Sequence, residues 1–212
     1  MQTMENEVTS QVQQILNQVR RAVVGKDATL LWVLAAILAR GHILLEDIPG
    51  VGKTTMALAF SKALNLDYGR VQFTPDVLPS DITGYSILDP KTGSMHYQKG
   101  AVLTNLFLAD ELNRATSRTQ AALLEAMEEG QVTVDGVSYP LPRPFLVIAT
   151  QNPVESQGTF PLPEAQLDRF LMKIKMNYPS HDESIEILKR FDRIDPLDDL
   201  GSVVSREEIF EM

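Results

Sequence analysis

The chain has 212 residues, of which 44% are hydrophobic and 22% charged, and it contains no cysteine. This composition indicates a globular protein, and the absence of cysteine excludes disulfides, thiolate zinc sites and cysteine nucleophiles. A formal net charge of −9 argues against an exposed surface for nucleic-acid phosphates, although a basic pore can lie inside an acidic protein. We expect a cytoplasmic protein without membrane insertion, because residues 1–18 lack a signal-peptide pattern and the longest apolar run, 30–39, is short.

The first half of the chain reads as two helices followed by a strand, a loop and a helix. Apolar residues recur at helical spacing over 8–21, and the apolar run 30–39 predicts a buried helix over 27–40. Gly41 then leads into a predicted strand, His42–Glu46, and the next helix spans about 53–64. Short apolar runs predict four later strands, at 68–73, 106–109, 145–150 and 171–176.

Strands that alternate with helices predict an α/β fold: a three-layer α/β/α core around a mostly parallel five-stranded sheet. Two hairpins interrupt the alternation, one over 84–97 with its turn at 89–93, the other over 131–141 around Asp135 and Gly136. After Pro179 the pattern is helical only, with a helix over 182–193 and a capping box that opens another at Ser205. Because the sequence ends four residues after this capping box, we expect it to be a fragment.

The segment 47–55 carries the clearest chemical signal. Pro49 sharpens a turn, and Gly50 and Gly52 permit backbone angles that direct successive N–H groups inward at the start of a helix. The segment therefore predicts a nucleotide phosphate loop, with a surface turn as the less favoured interpretation. In such a loop Lys53 contacts the β and γ phosphates and the Thr54 hydroxyl binds Mg²⁺. The loop departs from the usual pattern at Asp47, where a glycine is normal, and we expect this carboxylate to face away from the phosphates.

Two adjacent carboxylates end the apolar strand at 106–109. We expect Asp110 to hold Mg²⁺ through its water shell and Glu111 to polarise the attacking water. The alternative is a solvated helix N-terminus, where acidic residues are common.

Three further polar residues are candidates for the same site. Asn152 ends another strand at the same sheet edge, where it could sense the γ phosphate or simply form a turn before proline. Arg169 could neutralise the γ phosphate of a neighbouring subunit, or pair with Asp168 or another acid. Arg114 could contact the adjoining subunit, or it could contact residues that hold the site in place without itself touching the nucleotide. The three histidines have no metal-ligand spacing, and we expect each to be a surface or strand residue; they are His42, His96 and His181.

Five motifs together resemble the MoxR family of AAA+ ATPases. They are PGVGKT at 49–54, FTPDVLPSD at 73–81, ADELNRA at 109–115, ATQNP at 149–153 and GTFPLPEAQLDRF at 158–170. The resemblance extends from about residue 8 to the C-terminus, and the third and fifth motifs are specific to this family rather than to phosphate-loop ATPases in general.

The resemblance implies the helix-2-insert clade, with an ATPase core over 1–180, the insert at about 84–100 and a pre-sensor hairpin at about 131–141. Residues 181–212 would begin a helical lid that is incomplete and lacks the second sensor arginine. It further implies ATP or ADP with Mg²⁺ as cofactors, Val24 and Gly25 bordering the adenine, and Arg169 as an arginine finger. The phosphate-loop residues of the site would be Pro49, Gly50, Val51, Gly52, Lys53, Thr54 and Thr55. Where Lys26 stands, the family more often has glutamine.

At the level of function, the resemblance implies a homo-oligomeric ring, usually a hexamer, with a chaperone-like role. Its partners would be a protein with a von Willebrand factor A domain and a protein client. Two alternatives stay open: a nucleotide-controlled switch or scaffold, and a nucleic-acid motor, which the acidic balance disfavours.

Overall fold

Short strands alternate with helices along most of the chain. The computed structural model describes residues 2–46, 50–152, 158–191 and 195–212. The strands are β1 (His42–Glu46), β2 (Tyr68–Gln72), β3 (Gly84–Leu88), β4 (Met95–Lys99), β5 (Leu106–Asp110), β6 (Gln131–Val134), β7 (Val137–Pro140), β8 (Leu146–Gln151) and β9 (Phe170–Lys175). The helices are α1 (Gln2–Arg20), α2 (Asp27–Leu38), α3 (Lys53–Ala63), α4 (Pro79–Thr83), α5 (Ser117–Glu129), α6 (Glu164–Leu167), α7 (His181–Phe191) and α8 (Arg206–Glu211), with a 3₁₀ turn at Leu112–Arg114.

A five-stranded sheet in the order β2-β5-β8-β1-β9 forms the centre of the fold, and every neighbouring pair in it is parallel. The five predicted core strands are all present, with bounds that differ by at most one residue. The middle strands β1, β5 and β8 are buried almost throughout, whereas the edge strands β2 and β9 are partly exposed. Since parallel strands all end at the same edge, the carboxyl ends of β1, β5 and β8 lie side by side.

Helices cover both faces of the sheet, which confirms the three-layer α/β fold. Leu106 and Leu108 pack into a core with residues of α1, α2 and α3. Phe107 and Ala109 point to the other face, where they pack with residues of α4 and α5. Because strand side chains alternate, Asp110 continues the α3 side of β5.

Both predicted hairpins form two-stranded antiparallel sheets, β3 with β4 and β6 with β7. The second turns at Asp135 and Gly136, whose φ angles are +50° and +77°, as a two-residue hairpin turn requires. The rings of Tyr97 and Tyr139 stack with centroids 3.8 Å apart and so join the two hairpins to each other.

The terminal helices differ in extent from their predictions. Helix α1 begins at Gln2 rather than at residue 8, because the polar residues before Val8 extend an already nucleated helix at little cost. Helix α7 spans His181–Phe191, and the predicted end at 193 lies outside the described residues. The Ser205 capping box is confirmed, since Ser205 accepts from the N–H of Glu208. Within the described ranges, no helix is both long and apolar enough to span a bilayer.

Candidate functional site

The loop before α3 contains two glycines in the left-handed backbone region. Gly50 has a φ of +88° and Gly52 a φ of +90°, and Gly52 is the N-cap of α3. Among the described residues, an added Cβ would meet no atom within 4 Å at either position. Glycine is therefore favoured here by the backbone angle and not by crowding, since this conformation is sterically unfavourable for residues that have a Cβ.

The first turn of α3 supplies the side chains predicted for phosphate and metal. Lys53, Thr54 and Thr55 open this helix and are half-buried. A helix start leaves several N–H groups without helical acceptors, and together with the helix dipole these favour an anion. Pro49 and Asp47 lie outside the described residues, so their roles stay predictions.

A cavity of about 270 Å³ lies beside the loop. Its lining includes the two loop glycines together with Val51 and Thr55, and it also includes Val24 from the segment between α1 and α2. Ile187 and Phe191 of α7 complete an apolar part of the wall. The structure thus brings Val24, predicted to border an adenine, to the same cavity as the phosphate loop, and it adds α7, which sequence reasoning did not include.

The segment that carries Gly25 and Lys26 is fixed to the region between β9 and α7. The Lys26 ammonium donates to the backbone carbonyl of Asn177. A Cβ on Gly25 would lie only 2.0 Å from Oε1 of Glu183, so the glycine allows close packing against α7. Lys26, the position at which this chain departs from the resemblance, therefore has a structural contact of its own.

Asp110 is a buried carboxylate with both oxygens hydrogen-bonded. It is 9% exposed and ends β5. The Thr150 hydroxyl on β8 donates to its Oδ1 at 2.8 Å, and the Arg70 guanidinium on β2 donates to its Oδ2 at 2.7 Å. The alternative interpretation of Asp110 as part of a solvated helix start is wrong, because the residue belongs to a buried strand.

Glu111 turns away from the strand through an unusual backbone conformation. Its φ and ψ of 57° and 45° lie in the left-handed region, which is uncommon outside glycine and concentrates at functional sites. Its N–H donates to the Thr150 hydroxyl at 2.8 Å, and its carboxylate pairs with Arg114 at 3.2 Å. Thr150 therefore holds both carboxylate residues through one hydroxyl, and Arg114 lies directly against Glu111.

Asn152 follows β8 and is connected to the turn after Glu111. The Asn113 amide donates to the Asn152 backbone carbonyl at 3.1 Å. Behind them the buried Gln120 amide donates to three backbone carbonyls, those of Leu112, Ala115 and Phe160. These bonds connect the turn after β5, the end of β8 and the segment before α6 into one network.

Arg169 takes part in a different set of contacts. It follows α6, and its guanidinium pairs with Glu128 near the end of α5 at 2.5 Å. The guanidinium side chain is 34% exposed and that of Glu128 is 61% exposed. In the single chain Arg169 is thus paired with an acid, as one of the two sequence interpretations expected, but the acid is Glu128 and not Asp168.

Residues 42–172 match the ATPase family associated with various cellular activities (AAA). The chain is 52% identical over 193 residues to the uncharacterized protein YeaC of Bacillus subtilis, covering 91% of this chain and 60% of YeaC. It is 46% identical over 173 residues to Chaperone MoxR1 of Mycobacterium tuberculosis, covering 82% of this chain and 46% of MoxR1. The chain belongs to the MoxR family of AAA+ ATPases. The sequence resemblance is therefore confirmed, and the chain spans between about half and two thirds of these relatives.

A solved structure agrees with the family. The crystal structure of a Cytophaga hutchinsonii protein described as a candidate ATPase superposes with a TM-score of 0.86 and 41% identity. The match covers 99% of this chain and 64% of the other chain. The AAA+ core and the elements after Pro179 therefore have a counterpart in an experimental structure.

In this MoxR-family chain, sequence reasoning missed a polar cluster at the ends of β1 and β8. Glu46 accepts from the Gln151 amide at 2.6 Å and pairs with Lys173 at 2.7 Å. Burial by itself would raise the pKa of Glu46, but the bonds from Lys173 and Gln151 and the charges of Lys173 and Lys175 hold this pKa below its usual value. An ionised Glu46 fixes Gln151 next to Asn152, and it lies directly before the phosphate loop.

Thr150 and Arg70 were also missed, and each had a signal in the sequence. Thr150 is the polar residue that ends an apolar run, and the register that pairs Ala109 with Ala149 puts it beside Asp110. Arg70 alternates with apolar residues in β2. This pattern indicates a strand residue but does not identify Asp110 as its partner. Its pairing with Asp110 depends on the strand order, which the sequence pattern does not contain.

Proposed function

We propose that this chain binds ATP with Mg²⁺ and hydrolyses it to ADP and phosphate. The observation that carries the proposal is the meeting of three elements at one sheet edge: the glycine loop with the start of α3, the pair Asp110 and Glu111, and Asn152. The family match supports it, because phosphate-loop ATPases use these groups for binding, metal coordination and water activation.

The donors of the site fit Mg²⁺, which prefers hard oxygen ligands and keeps several waters. Thr54 supplies a hydroxyl at the start of α3, and Asp110 supplies a carboxylate on the α3 side of β5. Glu111 is the general base for water, Lys53 and the loop N–H groups hold phosphate, and Asn152 hydrogen-bonds the terminal phosphate. When bound, the metal supplies charge neutralisation for the phosphates.

We infer that hydrolysis drives a homo-oligomeric, hexameric ring with a chaperone-like role. The naming of MoxR1 as a chaperone supports this role, and the family resemblance supports a von Willebrand factor A partner and a protein client. In such a ring Arg169 acts on the neighbouring subunit's phosphate. The ion pair with Glu128 would then have to open, and the free energy lost is small because both side chains are partly exposed.

Substitution of the base tests the proposal. In the full-length protein, Glu111→Gln keeps the size of the side chain but removes the base, so ATP should still bind while phosphate release is lost. The matched control is Glu125→Gln, the same change on an exposed residue of α5. Phosphate release by Glu111→Gln equal to that of the control would refute the assignment of the base.

The same preparation separates the alternatives. A nucleotide-controlled switch predicts that partner binding responds equally to ATP and to a nonhydrolysable analogue. A nucleic-acid motor predicts ATPase stimulation by single-stranded DNA that declines as salt rises. Remodelling driven by hydrolysis predicts neither result.

A further inference from the structure

Arg70 is bonded to the carboxylate that the proposed function assigns to Mg²⁺. Its guanidinium donates to Asp110 Oδ2 at 2.7 Å and to Gln72 Oε1 at 3.1 Å. The other Asp110 oxygen is bonded by the Thr150 hydroxyl, a neutral donor that a nearby cation does not repel. Arg70, by contrast, is a permanent cation bonded to the second oxygen of the same carboxylate.

The environment of Asp110 explains why a cation is held there. The carboxylate side chain is only 12% exposed, so its charge is poorly solvated and is stabilised by an opposite charge. Tyr68, on the same face of β2, does not take this role: among the described residues its buried hydroxyl has no hydrogen-bond partner. Arg70 is therefore the residue of β2 whose charge is paired with that of Asp110.

The guanidinium can also leave. The Arg70 side chain is 40% exposed, and β2 is an edge strand of the sheet. A side chain in this position can rotate into solvent without opening a cavity in the core. The ion pair between Arg70 and Asp110 is thus formed, yet Arg70 is exposed enough for another cation to replace it.

We propose that Arg70 is an internal counter-cation of the metal site, which competes with Mg²⁺ for Asp110 and sets the Mg²⁺ concentration at which the metal–nucleotide complex binds. This inference rests on the proposed function. The apparent affinity for Mg²⁺ is reduced by the fraction of molecules in which Asp110 is paired, and the nearby positive charge adds repulsion. Removal of the charge should therefore lower the Mg²⁺ requirement, by about three- to tenfold for a partly exposed pair.

The test measures binding of a fluorescent, nonhydrolysable ATP analogue to the chain, first in EDTA and then across a range of MgCl₂. Arg70→Gln should move the midpoint of the Mg²⁺ response about three- to tenfold lower, and the shift should shrink at high salt because the pair is screened. Arg70→Lys retains the charge and should stay close to wild type. The matched control is Arg206→Gln, which removes an arginine paired with Asp67 and should leave the midpoint unchanged.

Each outcome bears on one claim. A midpoint in Arg70→Gln that is unchanged or higher, in protein with normal circular dichroism and normal affinity in EDTA, would overturn the competition. Asp110→Asn should weaken the Mg²⁺ response and remove its dependence on Arg70, and an Arg70→Gln shift that survives in this background would overturn Asp110 as the group that the two cations share. If the analogue binds neither in EDTA nor with Mg²⁺, the nucleotide function itself fails, which is a different result from a misplaced Arg70.

Discussion

Replacement of Thr150 by valine removes a hydroxyl that bonds both carboxylate residues of the site, with little change in side-chain volume. Thr150 is fully buried and bonds Asp110 and the Glu111 N–H at 2.8 Å each. Loss of a hydrogen bond to a charged group costs about 1.5–3 kcal/mol, and a neutral one about 0.5–1.5 kcal/mol. We therefore expect Thr150→Val to lower the free energy of unfolding by about 2–4 kcal/mol, and the melting temperature by roughly 5–15 °C for a chain of this size.

Thermal unfolding followed by circular dichroism measures the effect, and Thr150→Ser is the control. Serine keeps the hydroxyl and loses only a methyl group, which costs about 1 kcal/mol. If the valine variant proves as stable as the serine variant, the hydrogen bonds of Thr150 do not hold the site together, and the reasoning is refuted.

Two further predictions concern groups away from the phosphates. Burial lowers the pKa of His42. As pH falls below about 6.5, the unfolded histidine therefore takes up a proton before the folded one does, and stability is lost. His42→Gln should flatten this pH dependence of the unfolding free energy measured in urea, whereas the same change at the exposed His181 should not. The Tyr68 hydroxyl is buried without a partner among the described residues, and burial raises its pKa to about 12. Tyr68→Phe should therefore leave stability unchanged or raise it by about 1 kcal/mol, and a clear loss in the same assay would reveal a hydrogen bond to that hydroxyl.

The core of the fold was predictable because its strands are unusually apolar. β1, β5 and β8 are buried on both faces, and a strand of that kind appears in the sequence as a continuous apolar run. Both hairpins were predictable from their turns, since Gly93 in the first and Asp135 and Gly136 in the second accept positive φ. By contrast, no separate helix was predicted at α4, a five-residue element that packs against α5.

The candidate site was predictable only where a residue's chemistry follows from its local motif. Lys53, Asp110 and Glu111 stand in such motifs, so their proposed roles follow from the motif without knowledge of their distant contacts. The ion pairs were not predictable, because Arg70 meets Asp110 across two neighbouring strands and Arg169, in the turn after α6, meets Glu128 of α5. Pairing of this kind is decided by strand order and helix packing, which a single sequence does not specify.

A crystal structure of the chain with Mg²⁺ and a nonhydrolysable ATP analogue tests the central claim most directly. We predict that the adenine of the analogue lies in the cavity beside Val24 and Ile187, and that its phosphates lie against the loop from Gly50 to Thr55. Asp110 should then be free of Arg70, and the Asp47 carboxylate should point away from the phosphates. A nucleotide bound at another surface, or phosphates away from this loop, would contradict the account.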